Sequence, residues 1–207
     1  MTALIRDRGL ERALIRRRRR LGLDRYDEVW EGVYVMSPPP RSSHQRIAGW
    51  LDMILRQVVE CTGRGLVLPV IGISDRHQGW KQNYRVPETA VFLNGTAARN
   101  YETHWVGGPD FCVEIASPGE KVEDKLPFYA SIGTREVLLV LRSPQRLRLM
   151  TLINGELVVA GESSHTRSDW VSSNVVPLSF CMADNEHWQT FQVRRTDEPG
   201  SWVIPLS

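Results

Sequence analysis

Residues 84–129 decide the fold, in three pieces: Tyr84-Arg-Val-Pro-Glu88-Thr-Ala-Val-Phe-Leu93, Pro109-Asp-Phe-Cys-Val-Glu114-Ile-Ala-Ser117-Pro118 and Glu123-Asp-Lys125-Leu-Pro-Phe-Tyr129. The first two are β-type runs, and each carries an acidic residue among apolar neighbours. Glu88 precedes Ala90-Val-Phe-Leu93, and Glu114 stands between Val113 and Ile115. A charge at such a place is costly unless something pairs with it. A divalent metal suits two carboxylates that converge from adjacent strands, because hard cations take oxygen ligands. Pro87 removes a ladder donor, so the first run is expected at a sheet edge or beside a bulge. The third piece predicts a helix over 123–132, with Pro127 tolerated in its first turn and Gly133 as its stop.

Outward from this centre, the order of elements points to an α/β class. Glu136-Val-Leu-Leu-Val-Leu141 reads as the next buried strand, so strand, strand, helix and strand imply a sheet with a right-handed crossover. Asn154-Gly155, between Leu147–Ile153 and Glu156–Val159, is a strong hairpin signal. Upstream, Ile47, Trp50, Leu51, Ile54, Leu55, Val58 and Val59 form one apolar helical stripe, with Ser42 and Ser43 as candidate caps and Gly63 as its end. His44 falls in the first turn of that helix; a histidine there is more commonly a cap or a surface residue than part of a site. Val29-Trp-Glu31-Gly32-Val-Tyr-Val-Met36 is strand-like, and Glu31, just before a glycine, reads as a turn residue or a third acid of the site. Residues 94–109 read as loop with one short helix.

The bounds are ordinary. At 207 residues, 42% hydrophobic and 24% charged, the composition is that of a soluble globular protein. A net charge of +2 does not by itself call for nucleic acid. The charge is uneven, however: Arg16 to Arg20 form an unbroken run in a basic helix expected over 3–22. Arginines at 100° steps surround a helix, so the run is either a solvated face or a phosphate contact. Cys61, Cys112 and Cys181 are odd in number and widely spaced, which argues against a zinc knuckle or a disulfide framework and favours a reducing compartment. With no long apolar run and no signal-like N-terminus, a cytoplasmic protein without a membrane span is expected. The division expected is one domain over 1–207: a basic N-terminal helix over 1–23, a core over 24–160 and a β-rich extension over 161–207.

Glu31-Gly32, Met36-Ser-Pro-Pro, His44, Pro87-Glu88, Pro109-Asp-Phe-Cys-Val-Glu114-Ile-Ala-Ser-Pro118, Lys125-Leu-x-x-Tyr129 and Gly133-x-x-Glu136 occur in an order that resembles the Uma-type family of putative restriction endonucleases, within the PD-(D/E)XK nuclease superfamily. The resemblance covers roughly residues 24–160. It implies a restriction endonuclease-like core, a mixed four- or five-stranded β-sheet flanked by helices, and Mg2+- or Mn2+-dependent hydrolysis of DNA. It also implies that Glu88 and Glu114 are the metal ligands and that Glu31 completes the shell. The simple superfamily pattern puts a lysine two residues after the second acid, but Ala116 stands there. The lysine is therefore carried over to Lys125, with Lys121 as its rival, and Lys121 and His44 are expected on the substrate side. Glu88 replaces the usual aspartate. A homodimer is expected because enzymes that cut both strands commonly pair by a two-fold axis. The alternatives are a catalytically inactive nuclease-fold module that binds DNA or a partner, and an assembly protein whose buried acids are held by arginines such as Arg85 and Arg135.

Overall fold

The apolar stripe of residues 47–59 is wound as the periodicity predicts. In a computed structural model, which describes residues 8–116, 122–142, 145–185 and 188–205, helix α2 runs Ser42–Leu55 and passes into a π-helical turn, Arg56–Glu60. Ile47, Leu51, Ile54, Leu55, Val58 and Val59 are buried along it. Neither serine caps it: Arg41 holds the N-cap position and offers no side-chain bond. The basic helix α1 spans Arg8–Arg20, with Glu11 in its first turn and Arg17 to Arg20 in its last. That charge order complements the helix dipole. Helix α3, Leu126–Ser131, follows a 3-10 turn over Val122–Lys125.

The central sheet has six strands in the order 156–164, 145–153, 136–142, 111–115, 89–93 and 65–69, one more than the larger number the resemblance implies. Strands 111–115 and 136–142 run parallel, with α3 between them in the chain; the remaining neighbours are antiparallel. Strand 89–93 is interior, not an edge. Pro87 precedes the ladder and removes no bond from it, since pairing begins at Thr89. Asn154 and Gly155, both at positive φ, make the two-residue turn between 145–153 and 156–164. Instead of a short helix, the 94–109 segment holds two small strands, Arg99–Asn100 and Trp105–Val106. They join a second sheet with strands 28–30, 33–35, 73–74 and 84–85.

Alternation along the central strands divides the core in two. Phe111, Val113, Ile115, Leu138 and Val140 face α2, whereas Cys112, Val137, Leu139 and Leu141 face α3 with Phe128 and Tyr129. The β-rich C-terminal stretch forms a four-stranded antiparallel sheet over residues 171–205. Its Leu178, Phe180, Phe191, Val193 and Ile204 are buried in the same cluster as α2. Gly65 is the tightest point of the central sheet, because a Cβ there would lie 2.2 Å from the Phe92 carbonyl oxygen. Gly65→Ala is expected to lower the thermal midpoint by pushing strand 65–69 off its neighbour, and an unchanged melting curve would contradict that packing.

Candidate functional site

Glu114 shares its face of the central sheet with Cys112 and Ala116, so it points toward α3. From the 3-10 turn before α3, Lys125 Nζ donates to both Glu114 oxygens at 3.0 and 3.2 Å. One turn on, the Tyr129 hydroxyl donates to Glu114 Oε1 at 2.5 Å. The Lys-Leu-x-x-Tyr spacing places both donors on one helix face, as residues three and four apart do. All three side chains are buried.

Lys125 has a second acid, and it is Glu28. The Glu28 carboxylate lies 2.9 Å from Lys125 Nζ, accepts from the Val86 backbone N–H at 2.8 Å and accepts from Trp30 Nε1 at 2.7 Å. Glu31 does not join them. It occupies the turn between strands 28–30 and 33–35 at φ 48°, its side chain 73% exposed and bonded to Asn83. The three-residue offset between Glu28 and Glu31 places the buried acid inside the strand and the exposed one in the turn. Glu28 and Val29 are both buried, so no alternation along Glu28-Val-Trp30 marks the inward carboxylate.

Glu88 arrives by a different route. Its backbone N–H bonds to Val113 O, which anchors it beside the central strand just before the 89–93 ladder begins. Its carboxylate lies 2.7 Å from His44 Nε2, in the first turn of α2. His44 is buried, so it is neither a cap nor a surface residue, and its Nδ1 has no partner among the described residues. Glu88, His44, Glu114 and Lys125 line a single cleft of about 30 Å³, closed on other sides by Tyr26, Ser37, Pro38, Pro40 and Val86. That is room for a water or a small ion.

Burial dominates the electrostatics. It pushes the Glu114 carboxyl up to about 8; Lys125 opposes the rise, Glu28 adds to it, and the Tyr129 and Lys125 bonds oppose it. Burial likewise drives the Tyr129 hydroxyl upward, with the Glu114 charge adding to it. The consequence for stability has a definite sign. The Glu114 carboxyl ionises near 4.5 in the unfolded chain and about 8 in the fold, so between them the folded state keeps a proton that the unfolded state releases. Its stabilising contribution is greatest at the acid end and is lost as pH rises toward about 8. Urea midpoints of the wild type and Glu114→Gln, compared between about pH 5 and about pH 8, check this linkage. The wild type is expected to lose more stability than the variant over that range, and parallel curves would refute the shift.

The other candidates fall elsewhere. Lys121, together with Ser117 and Pro118, lies outside the described residues. Arg135 pairs with Asp110 at 3.2 Å. Arg85 lies over the Trp30 and Phe128 rings and donates to Val29 O, Tyr84 O and Asn83 Oδ1. The acids of the cleft are thus met by a lysine, a tyrosine and a histidine, not by these arginines. Within the arginine run, Arg18 turns inward to the fully buried Asp27 at 2.6 Å.

Comparison with known proteins agrees with this architecture. A crystal structure described as a putative nuclease belonging to DUF820, from Anabaena variabilis, superposes with a TM-score of 0.53 at 21% identity, covering 64% of this chain and 75% of that one. At that identity the likeness is one of fold. No curated protein matches the chain. Among the described residues no helix is long and apolar enough to cross a membrane. The profile of the Uma2 family, described as "Putative restriction endonuclease", matches residues 20–183, most of the sequence, and the chain belongs to that family.

Proposed function

We propose that this protein is a divalent-metal-dependent endonuclease that hydrolyses DNA phosphodiester bonds at the cleft between Glu88 and Glu114. The observation that carries the proposal is the meeting of those two carboxylates and Lys125 in one cleft, each from a different segment of the fold. The donor set fits a hard cation. Among the described residues no group of three or more acidic, histidine or cysteine side chains forms a ready-made cage. Magnesium does not need one, because it keeps several waters and is commonly held by one or two carboxylates plus substrate phosphate. Glu88 and Glu114 would hold it; when bound, such an ion supplies charge neutralisation at the phosphate and a more acidic water.

The chain's own residues have separable tasks. His44 fixes the Glu88 carboxylate by its 2.7 Å contact. Tyr129 and Lys125 fix the rotamer of Glu114. The ammonium group of Lys125, preorganised among buried groups, stabilises negative charge that grows on the phosphoryl oxygens as the bond to water forms. The proline-rich wall, Pro38 and Pro40, keeps one side of the cleft apolar.

Shortening Glu88 to aspartate retracts its carboxylate from His44. Glu88→Asp is therefore expected to lower cleavage by about 10- to 100-fold, the usual loss when a ligand's orienting partner goes. Equal or higher activity would show that the glutamate is not matched to His44. The test of the function itself is nicking of supercoiled plasmid in magnesium or manganese, with and without chelator, beside Glu88→Ala from the same preparation. Cleavage that survives chelator, or persists in the variant, points to a contaminating nuclease and removes the proposal. In that event a second assignment stands, a DNA-binding module without turnover. The observation favouring it is the closed Glu28–Lys125–Glu114 network, which already occupies both Glu114 oxygens. A homodimer accords with two-strand cleavage, and light scattering measures it.

A further inference from the structure

A groove distinct from the cleft lies between α1 and the 80–84 segment. Its volume is about 390 Å³, and its wall combines Tyr34, Trp80 and Tyr84 with Arg12, Arg19 and Lys81. That volume falls within the roughly 300–1,000 Å³ of sites that enclose small organic groups. Glu11 is the carboxylate on the wall, and Arg19 also lies 4.0 Å from Asp24, so the balance remains cationic. Arg12, Arg19 and Lys81 are exposed, whereas the three rings are half-buried. Trp80 is held rather than free to turn: its ring stacks on His104 at 4.3 Å and meets Tyr84 edge-on at 5.4 Å.

The strand 28–30 separates the groove from the cleft. Glu28 reaches Lys125, whereas Val29 lines the groove. Neighbouring residues of a strand point to opposite faces, so the groove and the cleft lie on opposite sides of the small sheet. Along α1, Arg12, Ile15 and Arg19 recur at helical spacing and present one stripe to the groove.

We infer that this groove binds unpaired nucleotides of a DNA strand, the bases against the fixed aromatic rings and the phosphates along Arg12, Arg19 and Lys81. It rests on the DNA reading proposed above and adds to it a non-catalytic site selective for single strands. Rigid rings beside flexible cations are the chemistry of single-strand binding, in which stacking tolerates any base and the cations follow the backbone. A polyanion without bases, such as an acidic peptide, would use the cations but gain nothing from the rings.

The experiment is fluorescence anisotropy of a labelled oligothymidine, measured in chelator so that no cleavage intervenes. Trp80→Ala is expected to weaken binding by about 5- to 100-fold, as loss of one stacking ring does, while Trp80→Phe stays near wild type. The Arg12→Gln/Lys81→Gln pair lies on the surface and guards against a misfolded tryptophan variant. It is expected to flatten the log affinity–log salt slope by about 1.4, which is about 0.7 per phosphate contact on a single strand. Unchanged affinity in both the Trp80→Ala and the paired variants overturns the inference. So does tighter binding of a duplex of equal length, or equal competition by polyglutamate. Failure here is distinguishable from failure of the nuclease proposal: chelator-sensitive plasmid cleavage by a protein that ignores oligothymidine sinks only the groove, and oligothymidine binding without cleavage sinks only the enzyme.

Discussion

Glu114→Gln is expected to reduce metal-dependent plasmid cleavage by at least about 100-fold, more than the usual loss on removing an orienting partner of a ligand. The substitution keeps the shape of the side chain and an oxygen to accept from Tyr129, so the α3 face stays packed. It removes the charge that would hold the cation. Calorimetric titration with magnesium or manganese should show binding lost together with cleavage, because the effect acts on the ground state. Retained cleavage at wild-type rate would mean that the Glu114 carboxylate is a structural anchor for Lys125 and Tyr129 and takes no part in the reaction.

Lys125→Ala is expected to cost about 3–5 kcal/mol of stability, the penalty for leaving buried charges without their partner. Lys125 lies between two buried carboxylates, Glu28 and Glu114, both nearly excluded from solvent. Removing it leaves Glu28 and Glu114 without their shared donor, and at a chain of this size the midpoint should fall by roughly 6–20 °C. The lysine therefore has a fold-stabilising duty as well as its proposed catalytic one, and a rate measured on the alanine variant mixes the two. Lys125→Met combined with Glu28→Gln separates them, since it restores neutral packing without the ammonium group. That pair should recover part of the lost midpoint while cleavage stays low. A single Lys125→Ala variant that melts within a degree or two of wild type would show the bridge to be energetically idle.

What the sequence made legible follows the distance over which each contact acts. Glu114 stood out as a charge inside an apolar strand, whereas Lys125 came from the resemblance to the family's Lys-Leu-x-x-Tyr sequence and not from local periodicity. The α2 stripe was equally plain, and its helix formed where the apolar spacing placed it. Glu28 was missed because its partner is Lys125, nearly the whole core away in the chain, and no local pattern reports such a pairing. The neighbouring Glu31-Gly32 dipeptide drew attention precursorily to the turn, where glycine permits positive φ but where the side chain faces solvent. His44 was ambiguous for the same reason: a first-turn histidine is buried or exposed according to what packs on it, here Glu88. Pro87 misled about the edge because a missing donor matters only within a ladder, and the ladder starts two residues later.

The sharing of one apolar cluster by α2 and the C-terminal sheet has a consequence for synthesis of the chain. Phe191, Val193 and Ile204 are synthesised well after α2, yet they are buried with Leu51 and Ile54 of that helix. At about 5–20 residues per second, roughly 7–30 s separate the emergence of α2 from that of Ile204. Throughout that interval the apolar stripe of α2 can meet the central strands as they appear, but the face reserved for the C-terminal sheet remains open. The nascent chain therefore keeps an apolar surface uncovered for seconds, until the strands that follow residues 171–172 are made.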